Sequence, residues 1–427
     1  MMNIVKKYQI KITPEISFMD EEVRIEIVGN PEESLQLQLI TTDYYNINGD
    51  LRIMDEGSQW ENVIEIKLDS DGLKTLDASV FTTMHIVNGN KSKLEQDLAR
   101  VKENRKCHIA FKLSKGNTIV AQNLHERVFC DDTIVSENII SDRLLARYFT
   151  GSNYDKRPAV IVVSGSDGRI EKAQAIAQCL AMKGFSTLAL CYFGMKHVPD
   201  NLDRIPMEYL ENAIVWLSKR QEVDADRIGI YGRSKGGEMV LLGATLFPQI
   251  KYVVANTPSS YIHEGIIGGS RTSGHSSWSF KEKEMHFIKV SKGSLFRLVI
   301  GMIKKNPRAF RELYKFVTWK NTNANFPNAR IKIEKCNASF LLIASNTDSI
   351  WPSDMYIEEA YQIMKDNKKE KNCKKLIYAG AGHMLTLPYQ PIPNCEEYGG
   401  SIEKGIPATT DSWRETVQFF KQMQYDK

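Results

Sequence analysis

Apolar residues fall at every second position in several runs along the first 130 residues. Val23, Ile25 and Ile27 alternate with Arg24 and Glu26. Leu35, Leu37 and Leu39 alternate with Gln36 and Gln38, and Ile64, Ile66 and Leu68 with Glu65 and Lys67. Successive side chains of a strand point to opposite faces, so each run predicts a strand with one buried face. Gly29-Asn30 and Asp69-Ser70-Asp71-Gly72 supply turn signals. Together these predict an all-β, immunoglobulin-like antiparallel sandwich over residues 1–130.

After residue 150 the rhythm changes. Ala159–Ser164, Ser186–Cys191, Arg227–Tyr231, Tyr252–Asn256, Phe340–Ala344 and Leu376–Ala379 are short apolar runs, as strands buried on both faces require. Between them the period becomes helical: Ala173, Ile176, Ala177, Leu180 and Ala181 share a face before Gly184, as do Leu210, Ala213, Ile214 and Leu217. A last helix, Ser412–Met423, carries Trp413, Val417 and Phe420. Alternating strands and helices predict a mostly parallel, doubly wound α/β domain over residues 131–427. The stretch between residues 256 and 340 is too long for an ordinary connection and reads as an insertion over about 263–335. It opens with a Gly/Ser-rich piece, Gly265–Ser277, and continues as two helical runs, Ser294–Lys305 and Pro307–Trp319.

The length of 427 residues suits two domains, and 42% hydrophobic with 25% charged residues excludes a disordered or disulfide-dense chain. The net charge of +4 hides an uneven distribution: residues 1–130 hold 16 basic and 20 acidic residues, residues 280–335 hold 14 and 4. A nucleic-acid partner is not expected. The seven cysteines form no CxxC motif and no Cys/His cluster, which predicts no metal site and a reduced, cytosolic protein. The amino terminus lacks the apolar core of a signal peptide, and no run is long enough to span a membrane.

The strongest chemical signal is Gly232-Arg233-Ser234-Lys235-Gly236, a G-x-S-x-G motif after a strand and before a helix. A tight strand-to-helix turn lifts a serine hydroxyl above the sheet and tolerates only small residues two positions to either side. Serine needs a base, and the base needs an orienting carboxylate. Asp348 follows the strand Phe340–Ala344 and His383 follows Leu376–Ala379, giving the order serine, acid, histidine at carboxyl ends of strands. Asp354 is the competing acid but better suits the opening of a helix; His263, His275 and His286 lie in the insertion and could line a pocket. An oxyanion hole would use the N–H of Lys235 and one from the loop Gly165–Gly168, at Ser166 or Asp167. That loop also reads as a plain strand-to-helix turn, and it lacks the spacing of a phosphate or dinucleotide loop. No cofactor is expected.

The combination resembles the acyl-CoA thioesterases related to bile acid-CoA:amino acid N-acyltransferase, in which a β-sandwich precedes an α/β-hydrolase domain. Ser17–Ile25 resembles that family's opening strand, Leu124–Phe129 its domain junction, Gly232–Glu238 its elbow and Thr347–Trp351 its acid loop. Gly382-His383 with Pro388-Tyr389, and then Trp413–Phe420, resemble its histidine loop and last helix. The resemblance implies an acyl-CoA substrate and an acyl-enzyme on Ser234. It favours water as acceptor, because the N-acyltransferase carries cysteine at this position. The loop Ser164–Arg169 is poorer in glycine than that family's, and the basic stretch is longer. The basic stretch, with Lys304, Lys305, Arg308 and Arg311, would hold the CoA phosphates. Transfer to an amine, a serine esterase or peptidase acting on other substrates, and a non-enzymatic binding protein are the alternatives.

Overall fold

The computed structural model describes residues 7–44, 47–49, 58–89, 93–153, 155–269, 271–323, 327–392 and 395–425. They form two compact units. The first takes the chain up to Leu94, Asn104–Asp131 and Leu387–Ile392; the second takes Glu95–Glu103, Asp132–Thr386 and the remainder. The sequence placed a single boundary near residue 130, whereas the chain passes between units more than once.

The first unit contains β1 (Gln9–Thr13), β2 (Ile16–Phe18), β3 (Arg24–Val28), β4 (Ser34–Thr41), β5 (Gln59–Lys67), β6 (Leu73–Asp77), α1 (Ser79–Thr82), β7 (His85–Asn88), β8 (Lys106–Lys115) and β9 (Thr118–Val128). Two sheets result, β1-β3-β6 and β2-β9-β8-β4-β5-β7. The alternation works as read: Ile25 and Ile27 of one sheet, and Leu35, Leu37 and Leu39 of the other, are buried. One pairing departs from an antiparallel sandwich, because β2 runs parallel to β9. The segment Leu387–Ile392 is held within this unit. Arg127 Nη1 donates to the Tyr389 carbonyl (2.9 Å), Tyr44 to Gln390 Oε1 (2.7 Å) and Asn48 Nδ2 to the Pro391 carbonyl (2.9 Å).

The second unit is built on β10 (Ile134–Ser141), β11 (Leu144–Gly151), β12 (Arg157–Val163), α2 (Ile170–Ala181), β13 (Ser186–Cys191), β14 (Ile205–Pro206), α3 (Glu208–Ser218), β15 (Val223–Arg233), α4 (Lys235–Leu246) and β16 (Ile250–Asn256). Its eight-stranded sheet has the order β10-β11-β13-β12-β15-β16-β21-β22, with β21 at Ser339–Ser345 and β22 at Cys373–Tyr378. The pairs from β13 through β22 are parallel, and β10-β11 and β11-β13 are antiparallel. This is the α/β-hydrolase arrangement. Ala159, Ile161, Ile230, Val253, Phe340 and Leu342 join one core cluster, as continuous apolar strands covered on both faces should.

The Gly/Ser-rich opening of the insertion between β16 and β21 forms short strands. β17 (Glu264–Ile267) and β18 (Arg271–Ser276) form a hairpin, and β19 (Trp278–Phe280) pairs with β14 and β20 (Lys283–Glu284). Then come α5 (Lys292–Ile303), capped by Ser291 accepting from the Ser294 N–H, and α6 (Ala309–Asn323). Beyond the insertion lie α7 (Ser353–Asp366), α8 (Cys395–Tyr398) and α9 (Ile402–Lys421). The last begins ten residues before the predicted start, with Ser401 as its cap and Pro407 inside it. Among the described residues no helix is long and apolar enough to cross a membrane.

Candidate active site

Ser234 occupies the turn between β15 and α4, with φ 55° and ψ −120°. That conformation costs a non-glycine residue about 1–3 kcal/mol, which the surroundings must offset. Here the Ser234 N–H donates to the Asn256 carbonyl (2.8 Å), and its own carbonyl accepts from the Glu238 N–H (3.1 Å). The flanking glycines are sterically required. A Cβ on Gly232 would overlap the Gly236 carbonyl, and one on Gly236 would overlap the Ser164 carbonyl. The Gly165 loop also approaches the nucleophile, though less tightly, since a Cβ on Gly165 would lie 3.3 Å from Ser234 Cβ. The buried Tyr192 hydroxyl donates to the carbonyls of Ser164 and Gly165 and holds this loop.

Asp348 follows β21 and is fully buried. Its Oδ1 accepts from the N–H groups of Ile350 (2.9 Å) and Trp351 (3.3 Å), and its Oδ2 from Ser353 Oγ (2.6 Å). Oδ2 also meets His383 Nδ1 at 2.8 Å. Because a carboxylate accepts, Nδ1 carries the proton, which in the neutral ring leaves Nε2 as an acceptor. No Ser234–His383 hydrogen bond is formed among the described residues, yet both side chains line one cavity of about 590 Å³. Apolar residues of α5 and α6 and the segment before them, including Val290, Leu295, Leu298 and Leu313, also line it.

The acid and histidine loops are tied together by residues the sequence reading passed over. The Tyr398 carbonyl accepts from both Ser349 N–H (3.3 Å) and His383 N–H (2.9 Å). Gly399 follows at φ +81°, where a Cβ would overlap the Thr347 carbonyl. The pair Gly399-Gly400 was the available signal, masked by its position before a helix rather than after a strand.

Behind the nucleophile lies a buried set of charges. Lys235 Nζ lies 3.0 Å from Glu238 Oε1 and donates to Ser277 Oγ (2.7 Å). Glu238 Oε1 also accepts from Trp278 Nε1 (2.8 Å) and from the His263 N–H (3.1 Å). His263 Nδ1 donates to the Tyr261 carbonyl (3.1 Å), and its Nε2 meets the Tyr356 hydroxyl at 3.3 Å. Burial pushes the His263 imidazole below its ordinary pKa, matching this neutral tautomer. Burial likewise pushes Lys235 down, against the opposing pull of Glu238. His263 therefore belongs to the packing under the elbow and does not line the cavity, while His275 is half-exposed beside Glu284.

Residues 205–426, just over half of the chain, match the family described as BAAT / Acyl-CoA thioester hydrolase C terminal. The chain belongs to this family. It is 26% identical over 314 residues to mitochondrial acyl-coenzyme A thioesterase 2 of Mus musculus, covering 71% of this chain and 64% of that protein. That is less than two thirds of the relative's length. To acyl-coenzyme A thioesterase 1 of the same species it is 25% identical over 321 residues, covering 71% and 69%. A solved esterase structure from Pyrobaculum calidifontis aligns with a TM-score of 0.43 at 16% identity, over 68% of this chain and 86% of that one. One relative is mitochondrial by name, so the family does not fix the cytosol as its compartment.

The family segment contains Ser234, Asp348 and His383, and the other expected site residues distribute unevenly. Ser166 and Asp167 line the cavity beside Ser234, and Lys235 opens α4, where an N–H has no intrahelical acceptor. The Asp167 carboxyl is buried, which by itself raises its pKa, but Lys172 at 3.0 Å and then Arg233 hold it below the ordinary range. Lys304, Lys305 and Arg308 are exposed around the α5–α6 turn, beside the cavity-lining Asn306 and Pro307. Arg311 stands apart from them. Its guanidinium pairs with Asp354 (2.8 Å) and donates to the carbonyls of Asp348 (3.3 Å) and Trp351 (3.4 Å). This commitment removes Arg311 from the set available to CoA phosphates and turns it into a brace of the acid loop. It also accounts for Asp354, the competing acid.

Proposed function

We propose that the protein hydrolyses acyl-CoA thioesters with Ser234 as nucleophile, His383 as base and Asp348 as its orienting acid. The observation that carries this reading is the Asp348–His383 hydrogen bond of 2.8 Å, with His383 and Ser234 opening into the same cavity. Ser234 Oγ attacks the thioester carbonyl carbon and gives its proton to His383 Nε2. The resulting oxyanion is stabilised by the N–H of Lys235 and one from Ser166 or Asp167. Collapse expels the CoA thiolate, which takes the proton from His383 and leaves an acyl-serine. Water, deprotonated by His383, then attacks the acyl carbon; the acid departs and the Ser234 hydroxyl is restored. Apo geometry with the serine not yet bonded to the base is ordinary, since such bonds tighten on substrate binding. Lys304, Lys305 and Arg308, exposed next to the cavity-lining Asn306 and Pro307, would meet the CoA phosphates.

The test is thiol release from a panel of acyl-CoAs, run beside p-nitrophenyl esters and with or without glycine or taurine. Acyl-CoA hydrolysis lost in Ser234→Ala supports the reading. Activity retained by that variant overturns it, preference for the uncharged esters makes the protein an esterase, and amide formation makes it a transferase.

A further inference from the structure

A helix on the surface of a globular domain normally turns its apolar stripe to the core. Helix α5 departs from this. Phe296, Val299, Ile300 and Ile303 recur at the i, i+3, i+4, i+7 spacing of one helix face, and all four are exposed, Phe296 at 66% and Ile303 at 75%. Ser294 is the one buried residue of this helix. The adjoining face is apolar as well, with Leu295, Leu298 and Met302 lining the cavity that holds Ser234 and His383. Met302 and Phe310 are both cavity-lining and exposed. One apolar surface therefore runs from the cavity lining to the outside of α5.

Cations surround this surface. Residues 285–333 hold eleven basic side chains and one acidic one, Glu312. Lys289 and Lys292 are exposed where α5 begins, and Lys304, Lys305 and Arg308 where it ends. Lys289 and Lys292 lie away from the α5–α6 turn, so holding CoA phosphates there does not account for them. Basic groups at both ends of an aliphatic and aromatic stripe match an anionic bilayer. The stripe enters the boundary between head groups and acyl chains, while the lysines reach up to the phosphates. A second copy of this chain fits poorly, because a two-fold contact on α5 would set the same cations against each other.

We propose that α5 is an interfacial helix that docks on anionic phospholipid bilayers through Phe296, Val299, Ile300 and Ile303, with Lys289 and Lys292 on the lipid head groups. Docked in this way, Met302 and Phe310 bring the cavity to the lipid boundary, and a long acyl chain passes into it without crossing water. That second step rests on the thioesterase reading; the docking itself does not.

The test is co-sedimentation of the full chain with phosphatidylcholine vesicles, with and without phosphatidylserine. The wild type is expected to bind the vesicles containing phosphatidylserine and to leave them as ionic strength rises. Phe296→Ser combined with Ile303→Ser lowers the partition coefficient about 10- to 100-fold, the loss for two large side chains that no longer leave water. Lys289→Gln with Lys292→Gln lowers it about 10- to 30-fold on the anionic vesicles alone. All four positions are exposed, and an unchanged Tm shows that each variant is folded. Failure of the wild type to sediment with anionic vesicles overturns the proposal, as does equal binding by the Phe296/Ile303 variant. A dimer that this variant abolishes, without vesicle binding, would assign the stripe to a second copy instead. Long-chain acyl-CoA carried in the vesicles should be hydrolysed faster by the wild type than by the variant, with short-chain acyl-CoA in solution hydrolysed equally. Absence of hydrolysis of any CoA ester would sink the thioesterase reading and leave the sedimentation result to decide the docking.

Discussion

Lys235 and Glu238 form an ion pair with almost no access to solvent, one turn apart at the start of α4, and Lys235 directly follows the candidate nucleophile. Two charges removed from water hold together only with close geometry and further hydrogen bonds, which Ser277, Trp278 and His263 provide. Removing one partner strands the other. Glu238→Leu is expected to lower unfolding stability by about 3–5 kcal/mol in chemical denaturation. A change under about 1 kcal/mol would mean that the pair contributes little beyond packing.

Asp348 holds His383 through Nδ1, and three other donors hold Asp348. Asp348→Asn keeps the shape but presents an amide N–H or a weaker acceptor to the ring, favouring the wrong tautomer. Thioester hydrolysis should fall about 10³- to 10⁴-fold in kcat with KM little changed, measured by thiol release. A decrease below tenfold would remove Asp348 from the proposed mechanism.

Gly399 connects the two loops that present acid and base. Gly399→Ala puts a methyl group against the Thr347 carbonyl at a φ of +81° that side chains seldom adopt. The expected result is a loss of activity together with a lower Tm, because the Ser349 and His383 N–H groups share the Tyr398 carbonyl next to it. Unchanged kinetics and Tm would show that the turn is free to move.

His125 gives a pH dependence. Burial first, and then the neighbouring Arg127, push its pKa down to about 4. It is bonded as a neutral ring, with Nδ1 at 2.9 Å from the Glu15 carbonyl and Nε2 at 2.9 Å from Ser17 Oγ. The unfolded chain takes up this proton below about 6.5 while the folded chain resists to about 4, so this residue lowers stability as pH falls through that window. Thermal unfolding from pH 7 to 4 should show a shallower decline in His125→Gln than in the wild type. Parallel curves would place the acid sensitivity elsewhere.

The ends of β15 and β21 were legible because strands buried on both faces must be apolar runs, whereas β22, at the edge of the sheet with Lys374 and Ile377 exposed, showed only its short apolar end. β11 escaped for the opposite reason. It is buried throughout yet contains Arg147 and Thr150, and Arg147 is accommodated only because Leu98, Val101, Asn138 and Gln174 accept its hydrogen bonds. A buried arginine satisfied by distant carbonyls leaves no periodic trace. The same holds for Arg311: sequence assigned it to the basic stretch by charge, and three-dimensional contacts assign it to the acid loop.

The alternation of the chain between its two units also limits how it can be divided. It crosses after Leu94, Glu103, Asp131, Thr386 and Ile392, so no single cut yields both units whole. A fragment of residues 132–427 would include Leu387–Ile392 but lack Tyr44, Asn48 and Arg127, which bind that segment. Such a piece loses its native anchorage four residues past the histidine. An exchange of the sandwich for another would therefore have to replace Leu387–Ile392 along with the residues up to Leu94 and Asn104–Asp131.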